Sequence, residues 1–150
     1  MTRVLVLQGP NLNLLGSREP AIYGTTTLAE IHATMADQAA GLGLGIDFFQ
    51  SNHEGALIDR LHERDFDVAI VNAGGLTHTS VALRDALLAV ERPFIEVHLT
   101  DPATREPFRT VNFLADIALE SIIGRGPDGY RLALKSIAGR YPVGGGTDGR

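Results

Sequence analysis

Short, nearly continuous apolar runs alternate along the chain with longer stretches in which apolar side chains recur every three or four positions. RVLVLQ (3–8), GIDFFQS (45–51), DVAIVNA (67–73), PFIEVHL (93–99) and ALESIIG (118–124) are the short runs, of the kind buried parallel strands show. The longer stretches predict helices. One opens at Thr27, where Glu30 three residues on makes a capping box, and ends near Gly41 and Gly43. Ser51 and Glu54 repeat that spacing ahead of ALIDRLHERD, where Ala56, Leu57, Ile58 and Leu61 form an apolar stripe. SVALRDALLAVE (80–91) and the segment 126–141 complete the helical set. Strands alternating with helices imply right-handed crossovers and a doubly wound α/β sheet of five parallel strands, in the flavodoxin-like order 2-1-3-4-5.

Three polar segments interrupt this pattern. GPNLNLLGSREPAIYG (9–24) follows the first strand and reads as neither helix nor strand; GGLTHTS (74–80) and the proline-punctuated LTDPATREPFR (99–109) follow the third and fourth. Open α/β sheets keep ligands at the carboxyl ends of their strands, where the order reverses, so these loops meet at the expected site. They bring together Asn11, Arg18, Glu19 and Tyr23; then Asn72, Thr77 and His78; then Glu96, His98, Thr100, Arg105 and Arg109.

Composition narrows the chemistry. The chain has 150 residues, 44% hydrophobic and 21% charged, which suits one domain over residues 1–141; VGGGTDGR (143–150) has little to bury, and 142–150 reads as a disordered tail. A net charge of -5 argues against nucleic acid and points to a small-molecule partner. There is no cysteine, hence no disulfide or thiolate metal site, and the chain opens on a strand rather than a signal peptide, which makes the cytoplasm the default. No apolar run approaches the roughly 18 to 20 residues of a bilayer span.

Of the three tyrosines, Tyr130 and Tyr141 fall on the last helix, where packing explains them, and Tyr23 alone sits at the ligand end. Among the five histidines, His32 and His62 fall inside helices and His53 in a first helical turn, leaving His78 and His98. Two histidines on separate loops make a poor zinc site and better acids or hydroxyl binders. No G-x-G-x-x-G follows the first strand and no P-loop motif occurs, so the phosphate cradles of dinucleotides and nucleotides are missing. The lone lysine, Lys135, lies in the last helix, which removes Schiff-base chemistry. Ser17 or Ser80 as a hydrolase nucleophile lacks a G-x-S-x-G elbow. A receiver or binding domain on this scaffold would want clustered aspartates after the first strand and a lysine after the fifth, which are absent.

Four motifs, GPNLNLLGSREPAIYG, QSNHEG, NAGGLTHTSVALRDAL and IEVHLTDPATREPFR, resemble the type II 3-dehydroquinate dehydratases in order and spacing. The resemblance covers residues 3 to 141. It implies reversible anti dehydration of 3-dehydroquinate to 3-dehydroshikimate through an enolate, without metal or organic cofactor, in the shikimate pathway or in quinate catabolism. Residue by residue, it implies Tyr23 as the base, Arg18 as its activator, and Asn11 as the holder of a water against the enolate oxygen. His98 becomes the general acid, positioned by Glu96. Asn72, His78 and Arg109 become substrate binders, the Leu99 and Thr100 amides take the carboxylate, and Glu19 orients its loop. Trimers grouped into a dodecamer are implied too, with Asp85 near a neighbour's site. Many members read HLSN or HISN where this chain has HLTD, so Thr100 keeps a hydroxyl and adds a methyl; Leu76 stands where many carry tyrosine.

Overall fold

The computed structural model describes residues 1–17 and 19–143; Arg18 and most of the expected tail lie outside the described residues. Strands β1 (Arg3–Gln8), β2 (Gly45–Gln50), β3 (Val68–Asn72), β4 (Phe94–His98) and β5 (Glu120–Ile123) form a parallel sheet in the order β2-β1-β3-β4-β5, as the sequence predicts. Helices α2 (Leu28–Leu42) and α5 (Asp128–Arg140) cover one face, and α3 (Glu54–His62) and α4 (Val81–Val90) the other.

Side chains alternate across a strand, so β1 feeds both layers: Val4 and Val6 pack with Ile31, Met35, Leu134 and Ile137, while Leu5 and Leu7 pack with Leu57, Leu61, Leu83 and Leu87. Burial on both sides is why this strand reads as a continuous apolar run. Each fully buried leucine or isoleucine contributes about 1.5–3 kcal/mol. The first predicted capping box forms: Glu30 N donates to Thr27 Oγ1 at 3.1 Å and Thr27 N donates to Glu30 Oε1 at 2.9 Å. The second does not. His53 is the N-cap of α3, and Ser51 Oγ, placed ahead of the cap position, accepts from His53 N at 3.0 Å. Glu54 instead accepts from Ser80 Oγ, the same hydroxyl that caps α4 by accepting from Leu83 N at 2.8 Å.

The loops hold more helix than their composition announces. Segment 9–24 contains a 3-10 turn at Leu12–Leu14 and a one-turn helix α1 (Pro20–Tyr23), and further 3-10 turns occupy Gly74–His78, Pro102–Thr104 and Pro107–Thr110. Such elements are too short for a helical period to show. Proline at the first position opens three of them, where its fixed φ suits a helix start.

At the switch point two loops meet backbone to backbone. Gly9 N donates to Asn72 O at 2.8 Å, and a Cβ on Gly9 would lie 2.3 Å from the Ala73 carbonyl oxygen. Gly74, at φ 58°, would likewise bring a Cβ to 3.0 Å from Pro10 O. Close approach demands glycine at both positions.

Candidate active site

β4 carries Glu96 and His98 two residues apart, hence on one face of the strand. Glu96 is wholly buried, and both of its oxygens are engaged. Oε2 accepts from His98 Nε2 at 2.6 Å and Asn112 Nδ2 at 2.8 Å, while Oε1 accepts from Ser121 Oγ at 2.6 Å. Burial pushes this carboxyl up, but the bond and charge of His98, with Ser121 and Asn112, outweigh it and hold it below the usual glutamate value. A carboxylate only accepts, so the proton on the shared axis sits on His98 Nε2, and Nδ1 is left for the cavity. Once doubly protonated, the imidazole can donate there, with Glu96 stabilising its charge.

The β3 end supplies Asn72, whose Oδ1 accepts from Gly74 N at 3.1 Å. His78 lines the cavity, and its Nδ1 donates to the Val111 carbonyl at 2.6 Å, since a carbonyl only accepts. From the β1 loop come Asn11 and Tyr23. Asn11 is left-handed at φ 71°, with its N–H fixed on Asn52 Oδ1 at 2.9 Å; Asn52 in turn accepts from Gln50 at 3.3 Å. Tyr23, half-buried, accepts at its hydroxyl from Arg105 Nη1 at 2.6 Å, and the guanidinium carbon lies 5.3 Å from the ring centroid. That cation is complementary to negative charge on the phenol oxygen.

The structure brings Asn11, Tyr23, Asn72, His78, His98, Leu99, Thr100 and Arg109 onto one cavity, with Glu96 directly behind His98. Arg109 also donates from Nε to Glu106 at 3.0 Å. Two predicted residues are not placed there. Asp85 is exposed on α4 and does not line the cavity within this chain, and Arg18 falls outside the described residues. Glu19, at φ 42°, caps α1 and so sets the turn that carries Tyr23. Neither rival nucleophile lines the cavity: Ser17 Oγ donates to Leu14 O at 3.0 Å, and Ser80 Oγ is held between Glu54 and Leu83. Among the described residues no group of three or more His, Cys, Asp or Glu could hold a metal ion, and no helix is long and apolar enough to cross a membrane.

Sequence reasoning placed Arg105 at the site without giving it a role, and the structure puts it on Tyr23. It missed Asn112 and Ser121. A signal for Ser121 was present, since a glutamate and a serine interrupt two apolar runs that pair in register at Glu96 and Ser121. Tyr130, which the pattern assigned to packing, is buried but also hydrogen-bonds Asn72.

Fold and site together define a doubly wound α/β domain with an acid–base pocket at its switch point. The chain belongs to the class II dehydroquinases: the family model described as "Dehydroquinase class II" matches residues 2–138. A 3-dehydroquinate dehydratase of Methylococcus capsulatus is 58% identical over 139 residues, covering 91% of this chain and 94% of that protein. A catabolic 3-dehydroquinase of Emericella nidulans is 50% identical over 137 residues, 90% of each chain. Among solved structures, the type II dehydroquinase of Butyrivibrio crossotus superposes with a TM-score of 0.88 at 36% identity, covering 91% of this chain and 97% of that one.

Proposed function

We propose that the chain is a 3-dehydroquinate dehydratase that removes water from 3-dehydroquinate to give 3-dehydroshikimate. The observation that carries this reading is the convergence on one cavity of a tyrosine hydroxyl that accepts from an arginine and a histidine backed by a buried glutamate. Membership in the class favours dehydration over a receiver or binding-only domain.

Tyr23, as phenolate, takes the proton alpha to the ketone, and the electron pair of that C–H bond moves into an enolate. Arg105 and Arg18 supply positive charge to the phenolate, and Asn11 holds a water against the enolate oxygen. As the enolate collapses, the C–O bond breaks and His98 gives its Nδ1 proton to the departing hydroxyl, which leaves as water. One proton remains on Tyr23 and one is missing from His98, so a transfer through solvent resets the site. Base and acid act on opposite faces of the substrate, an anti elimination. Asn72, His78 and Arg109 bind the substrate hydroxyls, and the Leu99 and Thr100 amides take its carboxylate.

The enzyme works in the cytoplasm, in the shikimate pathway or in quinate catabolism, as trimers grouped into a dodecamer. Val81 and Leu88, each 51% exposed, flank Asp85 on the outer side of α4 and support a subunit contact that carries Asp85 to a neighbour's cavity. The activity test is direct: 3-dehydroquinate should yield the absorbance of a conjugated enone, and an inert protein would refute the reading. Light scattering that finds a fully active monomer would refute the assembly.

A further inference from the structure

Behind Asn72 a line of hydrogen bonds leaves the cavity and crosses the core. Asn72 Nδ2 donates to the Tyr130 hydroxyl at 2.9 Å, and that hydroxyl donates to Gln8 Oε1 at 2.8 Å. Gln8 Nε2 lies 3.3 Å from His32 Nε2. The three central residues come from β3, α5 and β1 and are 3%, 1% and 0% exposed. Tyr130 and Gln8 do not line the cavity and are closed to solvent, so no bulk water replaces a partner lost between them.

The direction of this chain is fixed by what each group can do. A phenol has one proton, and Gln8 Oε1 can only accept it; the phenol oxygen must therefore accept from Asn72, which only the amide nitrogen can supply. At its other end the Asn72 amide takes the Gly74 N–H on Oδ1. A flipped amide would set oxygen against oxygen at Tyr130 and N–H against N–H at Gly74. Burial raises the Tyr130 phenol to about 12, so its proton is retained at any working pH. Burial also lowers the His32 pKa, favouring the neutral ring, whose Nε2 accepts from the Gln8 amide in the tautomer protonated at Nδ1.

We infer that Tyr130 is a positioning residue for the reaction: with Gln8 it locks the Asn72 amide in the single orientation that meets substrate. This rests on Asn72 contacting substrate, as proposed above. Tyr130 itself never touches the reacting atoms. Its packing in the α2–α5 layer is a separate role, and the two are separable by experiment.

Tyr130→Phe keeps the ring and removes the hydroxyl. Binding through Asn72 holds in ground and transition states alike, so KM for 3-dehydroquinate should rise on the order of tenfold while kcat stays within about twofold. Gln8→Met removes the acceptor that polarises the chain and frees the phenol proton to turn on Asn72 Oδ1; KM should rise in the same direction by roughly severalfold, and this variant serves if Tyr130→Phe does not fold. In an Asn72→Ala background, Tyr130→Phe should change KM no further, although it lowers the unfolding midpoint in both backgrounds. An equal rise in KM with and without Asn72, or an unchanged KM in folded Tyr130→Phe, overturns the relay and leaves Tyr130 a packing residue. Should Asn72→Ala by itself leave KM unchanged, the role given to Asn72 fails and the relay with it; a parent protein inert toward 3-dehydroquinate overturns the activity instead.

Discussion

Glu96 and His98 stand at the end of a central strand, 0% and 6% exposed, with every oxygen of the glutamate engaged by a neighbour. On the same cavity Tyr23 sits on a single helical turn in a loop, half-buried, and Arg105, which donates to it, comes from a second loop. The proposed acid side is part of the core, whereas the proposed base side is mounted on its rim. Substitutions on the strand should therefore cost stability and rate together, and those on the loops should cost rate with little change in stability.

The sharpest test of that division is Tyr23→Phe, which keeps the ring packed beside the α2–α5 layer and removes the proton acceptor. We expect kcat to fall on the order of 10²–10⁴-fold, with the urea midpoint unmoved; a large loss of stability would erase the distinction between the two sides. Glu96→Ala should do both kinds of damage. It strands His98, Asn112 and Ser121 without their acceptor and should cost about 3–5 kcal/mol in urea unfolding, besides most of the activity. If that variant is as stable as the parent, the Glu96 side is not part of the core.

Between these extremes lies the hinge of the two loops. Gly9→Ala drives a methyl into the Ala73 carbonyl and should destabilise by roughly 1–3 kcal/mol, lowering activity by displacing Asn11 and Asn72 together. Arg109→Gln should act on binding, with KM up on the order of tenfold and kcat nearly unchanged. Arg105→Gln, by contrast, should lower kcat. An Arg105 variant that alters only KM would assign that residue to substrate rather than to Tyr23.

The smallest effect expected is in pH dependence. Because the folded pKa of Glu96 lies below its unfolded value, near 4.3, the unfolded chain takes up this proton first as pH falls. The Glu96 contribution is thus fully present above about pH 5 and disappears as the pH drops through its folded pKa. Glu96→Gln should flatten the loss of unfolding free energy between about pH 5 and pH 3 compared with the parent. An equally steep loss in the variant would place the acid sensitivity elsewhere.

The sheet order and strand positions were legible because β1, β3 and β4 are buried on both faces, so that β1 and β3 write apolar runs and β4 one interrupted by Glu96. The capping box at Thr27 was legible for a similar reason, since all its partners lie within one turn. What escaped the sequence is what depends on distant partners. Glu54 has the spacing of a cap but prefers Ser80 on the next helix, and Tyr130 has the spacing of a core residue but spends its hydroxyl on Asn72 and Gln8. The residues that line the cavity were legible as a convergence of polar loops. That Arg105 meets Tyr23 was not, because Arg105 is joined to it only by the folded path of two loops.

Whether the strand side supplies the acid and the loop side the base is tested most directly by hydrogen exchange. 3-Dehydroquinate in deuterium oxide is followed by NMR at the carbon alpha to its ketone, with parent enzyme, Tyr23→Phe, His98→Asn and no enzyme. With the acid removed and the base intact, His98→Asn should exchange that proton faster than the enzyme-free control while forming almost no 3-dehydroshikimate. Tyr23→Phe should do neither. Exchange that survives in Tyr23→Phe, or that disappears in a folded His98→Asn, would contradict the assignment of base and acid.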